Sequence, residues 1–395
     1  MKKLKNVWMF SASDMSIAHG PVVHFIELAE ALHDFGHTVM AFTPGPNRYP
    51  EVVEHEQIYT KRLFSFLPRN FSFQIELLLY FMKKIKLSRP DILYVRHSSY
   101  MLLPQILGKI LGVQTIVEVN GLSHTHGLIL KMSWIKRKII FLTERISFKL
   151  CTHIITVTTG LCEDLIEKYK INKNKVSVVC NGVNTKRYCK KKVSEIDYSI
   201  KMALDPEKNI IAYVGSIEKW QGFDLLISLV EQLKNIRTDF VVWIIGDGSF
   251  KRNVIEKITN KKINSFFCFW NEQDEKKAVE LLSCCTIGIL PVHDKRKIFH
   301  ISPMKLYTYL SMSLPVVAPD IIQGAQILEK HKCGIVVPSG NINEYVKAID
   351  NIFNNKTTCE VMGQKARSVA VEKCDWKIVA DKTSLIFQKL FNNKV

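Results

Sequence analysis

Short apolar runs alternate with longer amphipathic segments along the whole chain, and this alternation constrains the fold more than any other feature. Several of the runs are continuously apolar, which is typical of strands buried on both faces of a parallel sheet. Between them, apolar residues recur at helical spacing, as from Val22 to Leu32, where Gly36 then ends the helix. The pattern predicts an α/β protein with two doubly wound parallel sheets.

The predicted strands form two sets. They cover residues 7–10, 39–42, 92–95, 115–119, 154–157 and 176–179 in the first half, and 210–214, 241–245, 266–269, 287–290, 316–318 and 335–337 in the second. The lysine-rich stretch 186–208 has no clear period and is interpreted as a linker. We therefore predict a first domain over 1–190 and a second over 209–375. A final helix over 376–391 either caps the second domain or, as we expect for 376–395, joins the first.

Basic residues are in excess, with 55 Lys and Arg against 37 Asp and Glu and a net charge of +18. Such a field attracts nucleic acid, an anionic membrane surface or phosphorylated small molecules. No recognised nucleic-acid-binding module occurs in the sequence, so nucleic acid is not expected as a partner.

Other classes are disfavoured by missing patterns. No G-x-G-x-x-G follows the first strand, and neither a G-x-x-x-x-G-K-[ST] loop nor a G-x-S-x-G elbow occurs. The ten cysteines form no C-x-x-C pair, which favours buried thiols in a reducing cytosol. His124 and His126 are interpreted as solvated loop residues, and no metal site is expected. No run of 18 apolar residues occurs, so no membrane span is expected, and residues 1–10 are too short for a signal peptide.

Glycines follow several predicted strands, where ligands bind in open parallel sheets. They allow the backbone to approach phosphate closely, and a following helix N-terminus attracts anions, although each glycine alone also fits a simple tight turn. These positions are Gly20, Gly121, Gly215, Gly246 and Gly248.

Motifs along nearly the whole chain carry a resemblance to a known family. In the first half they are HGPVVHFIELAEALHDFGHTV, PDILYVRHSSY, GVQTIVEVNG, IITVTTGLCEDLI and VSVVCNGVNTKRY; in the second, YVGSIEKWQGFDLLI, WIIGDGS, GILP and SPMKLYTYLSMSLPVVAPD. Their order and spacing resemble the GT-B glycosyltransferases, specifically the large retaining family 4. The resemblance implies two Rossmann-like domains facing a cleft, with the nucleotide-sugar donor on the second domain and no metal.

Site residues follow from the resemblance. It implies donor binding near Gly20, Gly215, Ser216, Gln221, Gly246, Asp247, Gly248, Phe269, Ser302, Pro303 and Thr308. The sequence also departs from the family, which often has arginine at Ser216, lysine at Gln221 and a ribose-binding glutamate at Thr308. A threonine hydroxyl is shorter and neutral, so Thr308 bears on whether the chain is active.

Charged residues at predicted loops are candidates for the chemistry. A sugar leaving a diphosphate builds negative charge on phosphate, which positioned cations stabilise. Lys219, Lys305 and the cluster 295–297 fit that role, or else are ordinary surface charges. In the first half, Arg96, Glu118 and Asn120 end adjacent strands and are candidates to orient the acceptor or the sugar, although Glu118 equally fits a structural partner of Arg96.

Two segments mix apolar, aromatic and basic residues: 71–86 and 131–149. Basic amphipathic helices of this kind bind anionic lipid, and the alternative is an ordinary helix packed on the sheet. We therefore predict a cytoplasmic retaining glycosyltransferase, with peripheral membrane contact, that acts on a glycan or lipid-linked acceptor in surface glycan assembly. The alternative is a catalytically inert partner subunit of the same fold.

Overall fold

The structure is a computed structural model that describes residues 4–15, 20–44, 54–58, 69–292 and 300–392. Its strands are β1 (Asn6–Phe10), β2 (Thr38–Pro44), β3 (Glu54–Ile58), β4 (Ile92–Arg96), β5 (Gln114–Val119), β6 (His153–Thr156), β7 (Val176–Val178), β8 (Asn209–Val214), β9 (Phe240–Ile245), β10 (Phe267–Trp270), β11 (Ile287–Ile289), β12 (Val316–Pro319) and β13 (Gly334–Val337).

The helices occupy most of the connections between strands. They are α1 (Gly20–Asp34), α2 (Arg69–Ile85), α3 (Leu103–Leu111), α4 (Ser123–Ile129), α5 (Trp134–Leu150), α6 (Thr159–Glu167), α7 (Tyr198–Met202), α8 (Phe223–Leu233), α9 (Lys251–Asn260), α10 (Glu275–Ser283), α11 (Met304–Ser311), α12 (Ala325–His331), α13 (Ile342–Asn354), α14 (Lys356–Val369) and α15 (Trp376–Asn392). In the described part of the chain, none of them is long and apolar enough to cross a bilayer.

The chain divides into two compact units. Within the described residues, unit 1 lies in Met1–Gly182, Ile298–Ser302 and Trp376–Val395, and unit 2 in Val183–Lys297 and Pro303–Asp375. Unit 1 holds a seven-stranded sheet in the order β3-β2-β1-β4-β5-β6-β7, and unit 2 a six-stranded sheet in the order β10-β9-β8-β11-β12-β13. Every strand pairing is parallel.

Large apolar side chains fill the core of each unit. In unit 1 the aromatic rings of Trp8, Phe42 and Phe81 pack together, with centroids 5.1 to 5.3 Å apart. In unit 2 the apolar faces of α8 and α13 pack beside each other over the sheet, and α8 buries seven residues. Each sheet is therefore a rigid platform whose carboxyl edge presents loops at fixed positions.

The segment 186–208 is not a free linker, which corrects our interpretation of the sequence. It lies in unit 2, includes α7, and buries Ile196 and Ile200. Lys191 Nζ pairs with Glu280 Oε1 on α10 at 3.2 Å, and the same buried carboxylate accepts a hydrogen bond from the Asp197 amide.

The final helix, α15, lies in unit 1 and packs along α1. Ser384 Oγ hydrogen-bonds His37 Nε2 at 2.8 Å, and the Lys5 ammonium lies 3.3 Å from the centroid of the Phe391 ring. The chain therefore returns from unit 2 to complete unit 1.

Candidate functional site

At the carboxyl edge of the unit 1 sheet, β4 and β5 bring three predicted residues together. Arg96 and Glu118 are register partners on these strands, and Asn120 follows β5 directly. Arg96 Nη1 lies 3.7 Å from Glu118 Oε1, and Asn120 Nδ2 donates a 2.6 Å hydrogen bond to the same oxygen. Both charged side chains are buried, so strand pairing alone places an ion pair at the point where parallel strands end.

Helix α1 adds His24 to this cluster, and the sequence analysis did not single it out. His24 lies one helical turn after Gly20, the first residue of α1, and its Nε2 contacts Glu118 Oε1. The buried imidazole meets Trp376 of α15 edge-on, with centroids 5.0 Å apart. Burial raises the pKa of Glu118, but His24 and the other partners outweigh it and hold that pKa at about 2. The available signal was the G-x-x-x-H spacing, one helical turn.

Two polar atoms of the cluster are buried without a hydrogen-bond partner in the described part of the chain. They are Arg96 Nη1 and Glu118 Oε2. Leaving such atoms unpaired costs roughly 1–3 kcal/mol each, and more for charged groups. A polar ligand at this edge would satisfy both, so the cluster has the chemistry to bind hydroxyl groups.

A second buried carboxylate, Glu144 of α5, fixes the loops beside this cluster. His97, the residue after Arg96, hydrogen-bonds Glu144 Oε1 through Nε2 at 3.0 Å, and the Ser123 amide donates to the same oxygen at 2.6 Å. Tyr169 Oη donates to Glu144 Oε2 at 2.5 Å. Burial raises the pKa of Glu144, but these hydrogen bonds outweigh burial and hold it well below its ordinary value.

The prediction that His124 and His126 are solvated loop residues is wrong in part. Both lie on α4, and the His124 imidazole is half-buried, 2.8 Å from Tyr169 Oη and 3.4 Å from Glu144 Oε2. His126 is exposed and lies against Gly121, where an added methyl would meet its ring at 2.9 Å.

Ser302 lies apart from the donor residues with which the sequence analysis grouped it. It belongs to unit 1, where Asn181 Nδ2 donates to its carbonyl at 3.0 Å and to its hydroxyl at 3.2 Å. Nearby, His300 Nε2 lies 3.4 Å from Asp164 Oδ2. Pro303, the next residue, is the N-cap of α11 in unit 2. The predicted basic cluster 295–297 lies outside the described residues.

In unit 2, two glycine loops follow β8 and β9 and touch each other. Gly215 follows β8 with φ +121° and Gly246 follows β9 with φ +146°, values that favour glycine. A methyl added to Gly246 would lie 2.2 Å from the Gly215 carbonyl oxygen, and one on Gly248 would lie 2.3 Å from that of Ile217. Gly246 and Gly248 are therefore required for packing the two loops together.

Side chains also tie these loops together. Glu218 accepts hydrogen bonds from the amide and hydroxyl of Ser249, at 3.2 and 2.6 Å, and the sequence analysis did not include either residue. Asp247 is exposed and pairs with Lys251 at 3.0 Å, which lowers the pKa of Asp247.

Three further predicted residues lie in the first loop. The amide of Gln221 reaches Ser216 Oγ at 3.5 Å, while Lys219 is exposed in a short 3-10 turn. Phe269 of β10 is partly buried against the core of unit 2 and stacks on Phe267. The structure therefore places Ser216, Lys219 and Gln221 in one loop and gives Phe269 a packing role.

Helix α11 carries Lys305 to the first loop. The Lys305 ammonium lies 3.9 Å from the centroid of the Tyr213 ring, and a methyl on Gly215 would lie 3.4 Å from Nζ. No side chain caps the start of α11, so its first turn presents backbone N–H groups and the positive end of the helix dipole. A half-buried cation beside a helix N-terminus and a glycine makes an anion site.

Thr308 lies one turn after Lys305 and is half-buried. Its hydroxyl donates to the Met304 carbonyl of the same helix at 3.4 Å, which leaves the oxygen lone pairs free to accept. The next residue, Tyr309, is buried and accepts a 2.9 Å hydrogen bond from the Val214 amide through its hydroxyl. Tyr309 therefore fixes α11 against the end of β8, and sequence reasoning did not identify it.

Among the described residues, no group of three or more His, Cys, Asp and Glu side chains is arranged to hold a metal ion.

Comparisons with known proteins agree on both halves of the chain. Residues 18–187 match the model of Glycosyltransferase Family 4, and residues 195–369 match that of Glycosyl transferases group 1. A 41.2 kDa uncharacterised protein in the cps region of Klebsiella pneumoniae is 24% identical over 302 residues, 75% of this chain and 80% of that protein. The O-antigen chain mannosyltransferase C of Escherichia coli is 22% identical over 160 residues, 40% of this chain and 41% of that protein.

Solved structures share the fold at low sequence identity. A sucrose-phosphate synthase from Thermosynechococcus elongatus superposes with a TM-score of 0.78 at 15% identity, covering 98% of this chain and all of that one. The Anabaena protein HepE, crystallised in complex with UDP-glucose, gives a TM-score of 0.74 at 13% identity with coverage of 98% and 100%.

Proposed function

Because the chain belongs to the GT-B glycosyltransferases of group 1 and depends on a nucleotide sugar, we propose that it transfers the sugar with retention of configuration. We propose a glycan or lipid-linked acceptor and a role in surface polysaccharide assembly. Support for this acceptor class comes from the relatives, one an O-antigen chain mannosyltransferase and one a protein of a cps region.

One observation carries the donor site in unit 2: Lys305 beside Gly215 at the uncapped start of α11. The diphosphate of a nucleotide sugar fits an anion site of this kind. As the bond to the sugar breaks, negative charge grows on the leaving phosphate, and a positioned cation stabilises that charge. Lys219, exposed in the adjacent loop, is a second candidate for the same charge.

Thr308 and Ser216 are the donor residues on which activity depends in this proposal. The Thr308 oxygen, one helical turn after Lys305, is proposed to accept a hydrogen bond from the donor ribose. Ser216 and Gln221 flank the first glycine loop and are proposed to contact the phosphates. Glu218 and Ser249 hold the two loops in place through hydrogen bonds of their own.

In unit 1, the cluster of His24, Arg96, Glu118 and Asn120 is proposed to bind sugar hydroxyls. The unpaired Arg96 Nη1 supplies a donor and Glu118 Oε2 an acceptor. With a pKa of about 2, Glu118 is ionised at neutral pH and has no proton to donate. It therefore suits orientation rather than acid catalysis, and the leaving phosphate oxygen is proposed to take the acceptor proton.

We propose that the reaction needs no metal, because Lys305 and the helix dipole meet the phosphate charge. We also place the enzyme in the cytoplasm at the inner face of the membrane, where a lipid-linked acceptor would be found.

Calorimetric titration of the protein with a panel of sugar nucleotides tests the donor assignment. Binding to one donor, followed by transfer of its sugar to a lipid-linked acceptor with the anomeric configuration kept, is the expected result. Inverted product would refute retention. Absence of binding to every donor would favour the inert partner subunit instead.

A further inference from the structure

Three neighbouring helices, α2, α3 and α5, cover one face of the unit 1 sheet. Gln74 of α2 accepts hydrogen bonds from the Leu102 and Leu103 amides at the start of α3, both at 2.8 Å. Gln105 of α3 donates to Ser147 Oγ of α5, also at 2.8 Å. The inner faces of the three helices share one apolar core, so they form a continuous layer with a single outer surface.

That outer surface is apolar on every helix. Its exposed apolar residues recur at helical spacing: Ile75, Leu78, Leu79 and Met82 on α2, Ile106 and Ile110 on α3, and Trp134, Ile135, Ile139, Leu142 and Ile146 on α5. Leu79 and Trp134 are each 70% exposed and Ile110 is 74% exposed. A surface helix of a globular protein ordinarily presents charged and polar residues here. Each helix is thus apolar on both its inner and outer faces.

The charge on the three helices has one sign at the surface. Their only acidic residues, Glu76 and Glu144, are buried. The exposed charges on these helices are the lysines Lys83, Lys109, Lys136, Lys138 and Lys149. Lys86 and Arg89 extend the basic character just beyond α2 and are also exposed. A partner for this face must therefore be apolar and negatively charged.

We infer that the outer face of α2, α3 and α5 docks on a bilayer that contains anionic lipid. The apolar stripes enter the boundary between headgroups and acyl chains, while the lysines pair with lipid phosphates. A second copy of this chain is a poorer fit, because two equally basic faces repel each other. The complementarity of charge and apolar area selects the bilayer.

The location of this face suits the proposed function, on which the biological meaning of the inference rests. Helix α5 follows β5 and runs back across the sheet, so its first residue, Trp134, lies toward the edge where Arg96 and Asn120 are. Leu128, Leu130 and Met132, just before α5, are exposed at the same edge. Docking would hold the unit 1 cluster close to the headgroups, where a lipid-linked acceptor carries its sugar.

Sedimentation with vesicles tests the inference directly. The full chain is mixed with vesicles of phosphatidylcholine alone or with added phosphatidylglycerol. Binding to the anionic vesicles, weakened by salt, is expected. Lys136→Gln with Lys138→Gln should reduce the affinity by about 30-fold, from roughly 1 kcal/mol per lysine near the surface. Leu79→Ser with Trp134→Ser should reduce it by about tenfold or more.

Matched variants in unit 2 serve as controls. Lys330→Gln with Lys356→Gln removes the same charge from exposed positions, and Ile236→Ser with Val371→Ser removes exposed apolar residues. Both should bind vesicles as the wild type does. Equal losses in test and control variants, or no binding of the wild type to anionic vesicles, would overturn the inference. So would a wild-type dimer in sedimentation velocity that Leu79→Ser with Trp134→Ser converts to monomer.

Calorimetric binding of the sugar nucleotide separates this inference from the proposed function. The surface variants should keep wild-type donor affinity, since their substitutions lie on the outer helix faces of unit 1. Failure of donor binding in the wild type would count against the proposed function alone. Failure of vesicle binding would count against the docking face alone.

Discussion

Replacing Lys305 tests the donor site most directly. Its ammonium contacts the Tyr213 ring and faces Gly215, and the side chain is half-buried. Loss of one positioned donor to developing phosphate charge lowers turnover by roughly 10²–10³, equivalent to about 3–4 kcal/mol. Loss of the cation–π contact lowers the free energy of unfolding by only about 0.5–1 kcal/mol. Catalysis should therefore suffer far more than folding.

The assay compares sugar transfer and thermal unfolding in three variants. Lys305→Ala removes the charge and the methylenes, and Lys305→Met removes the charge while keeping most of the apolar stem. Lys347→Ala is the control, because Lys347 is 72% exposed in a surface pair with Glu344. We expect both Lys305 variants to lose turnover at similar melting temperature. Lys305→Met with turnover close to that of the wild type would show that Lys305 is only a surface charge.

Four further predictions follow from the same geometry. Gly246→Ala should destabilise unit 2 by roughly 2–3 kcal/mol from backbone strain and the clash with Gly215, against about 1 kcal/mol for Gly112→Ala, whose added methyl meets nothing, as urea unfolding would measure. Thr308→Glu should tighten donor binding by about 1 kcal/mol in calorimetry, and a lower melting temperature without tighter binding would contradict an open ribose pocket. Glu118 has a folded-state pKa of about 2, below its ordinary 4.5, so its ionised form stabilises the fold above that range and the benefit is lost as pH falls toward 2. The melting-temperature gap between the wild type and Glu118→Gln should shrink over that interval. Dialysis against EDTA should leave the initial rate of transfer unchanged, and a loss restored by Mg²⁺ would contradict the metal-free proposal.

Strands that are buried on both faces were predictable from the sequence. The predicted run 92–95 became β4 (Ile92–Arg96), and 241–245 became β9 (Phe240–Ile245), because continuous apolar runs have few alternatives to a central strand. Strand β3, Glu54–Ile58, was missed. It lies at the edge of its sheet and pairs only with β2, and its sequence EHEQI lacks the apolar run on which the prediction relied.

The segment 186–208 was misread because composition dominated the interpretation. Its lysines predicted a solvated linker, yet Ile196 and Ile200, four residues apart, anchor it in unit 2. Glu280 then compensates part of the basic charge through Lys191. Two apolar residues at helical spacing were the signal, and a short helix needs no longer stripe when its neighbours supply the packing.

The candidate site was predictable only where strand ends define it. Arg96, Glu118 and Asn120 lie together because neighbouring parallel strands end at one edge. Their supporting residues come from helices far away in sequence, such as His24 on α1 and Glu144 on α5. Such contacts join segments whose separation leaves no local periodicity, so a single sequence gives no spacing from which to infer them.

The glycines show how a motif can be correct in position and incomplete in meaning. Gly246 and Gly248 were singled out as phosphate-binding glycines, but the structure shows that each is pressed against the backbone of the neighbouring loop. Glycine at these positions is therefore required by the fold, whether or not a ligand binds. Gly215 differs, since a methyl there would face the Lys305 ammonium instead of a backbone carbonyl. The argument for a bound diphosphate thus rests on Lys305 and the uncapped helix beside it, because a glycine pattern alone is equally consistent with an inert member of the same fold.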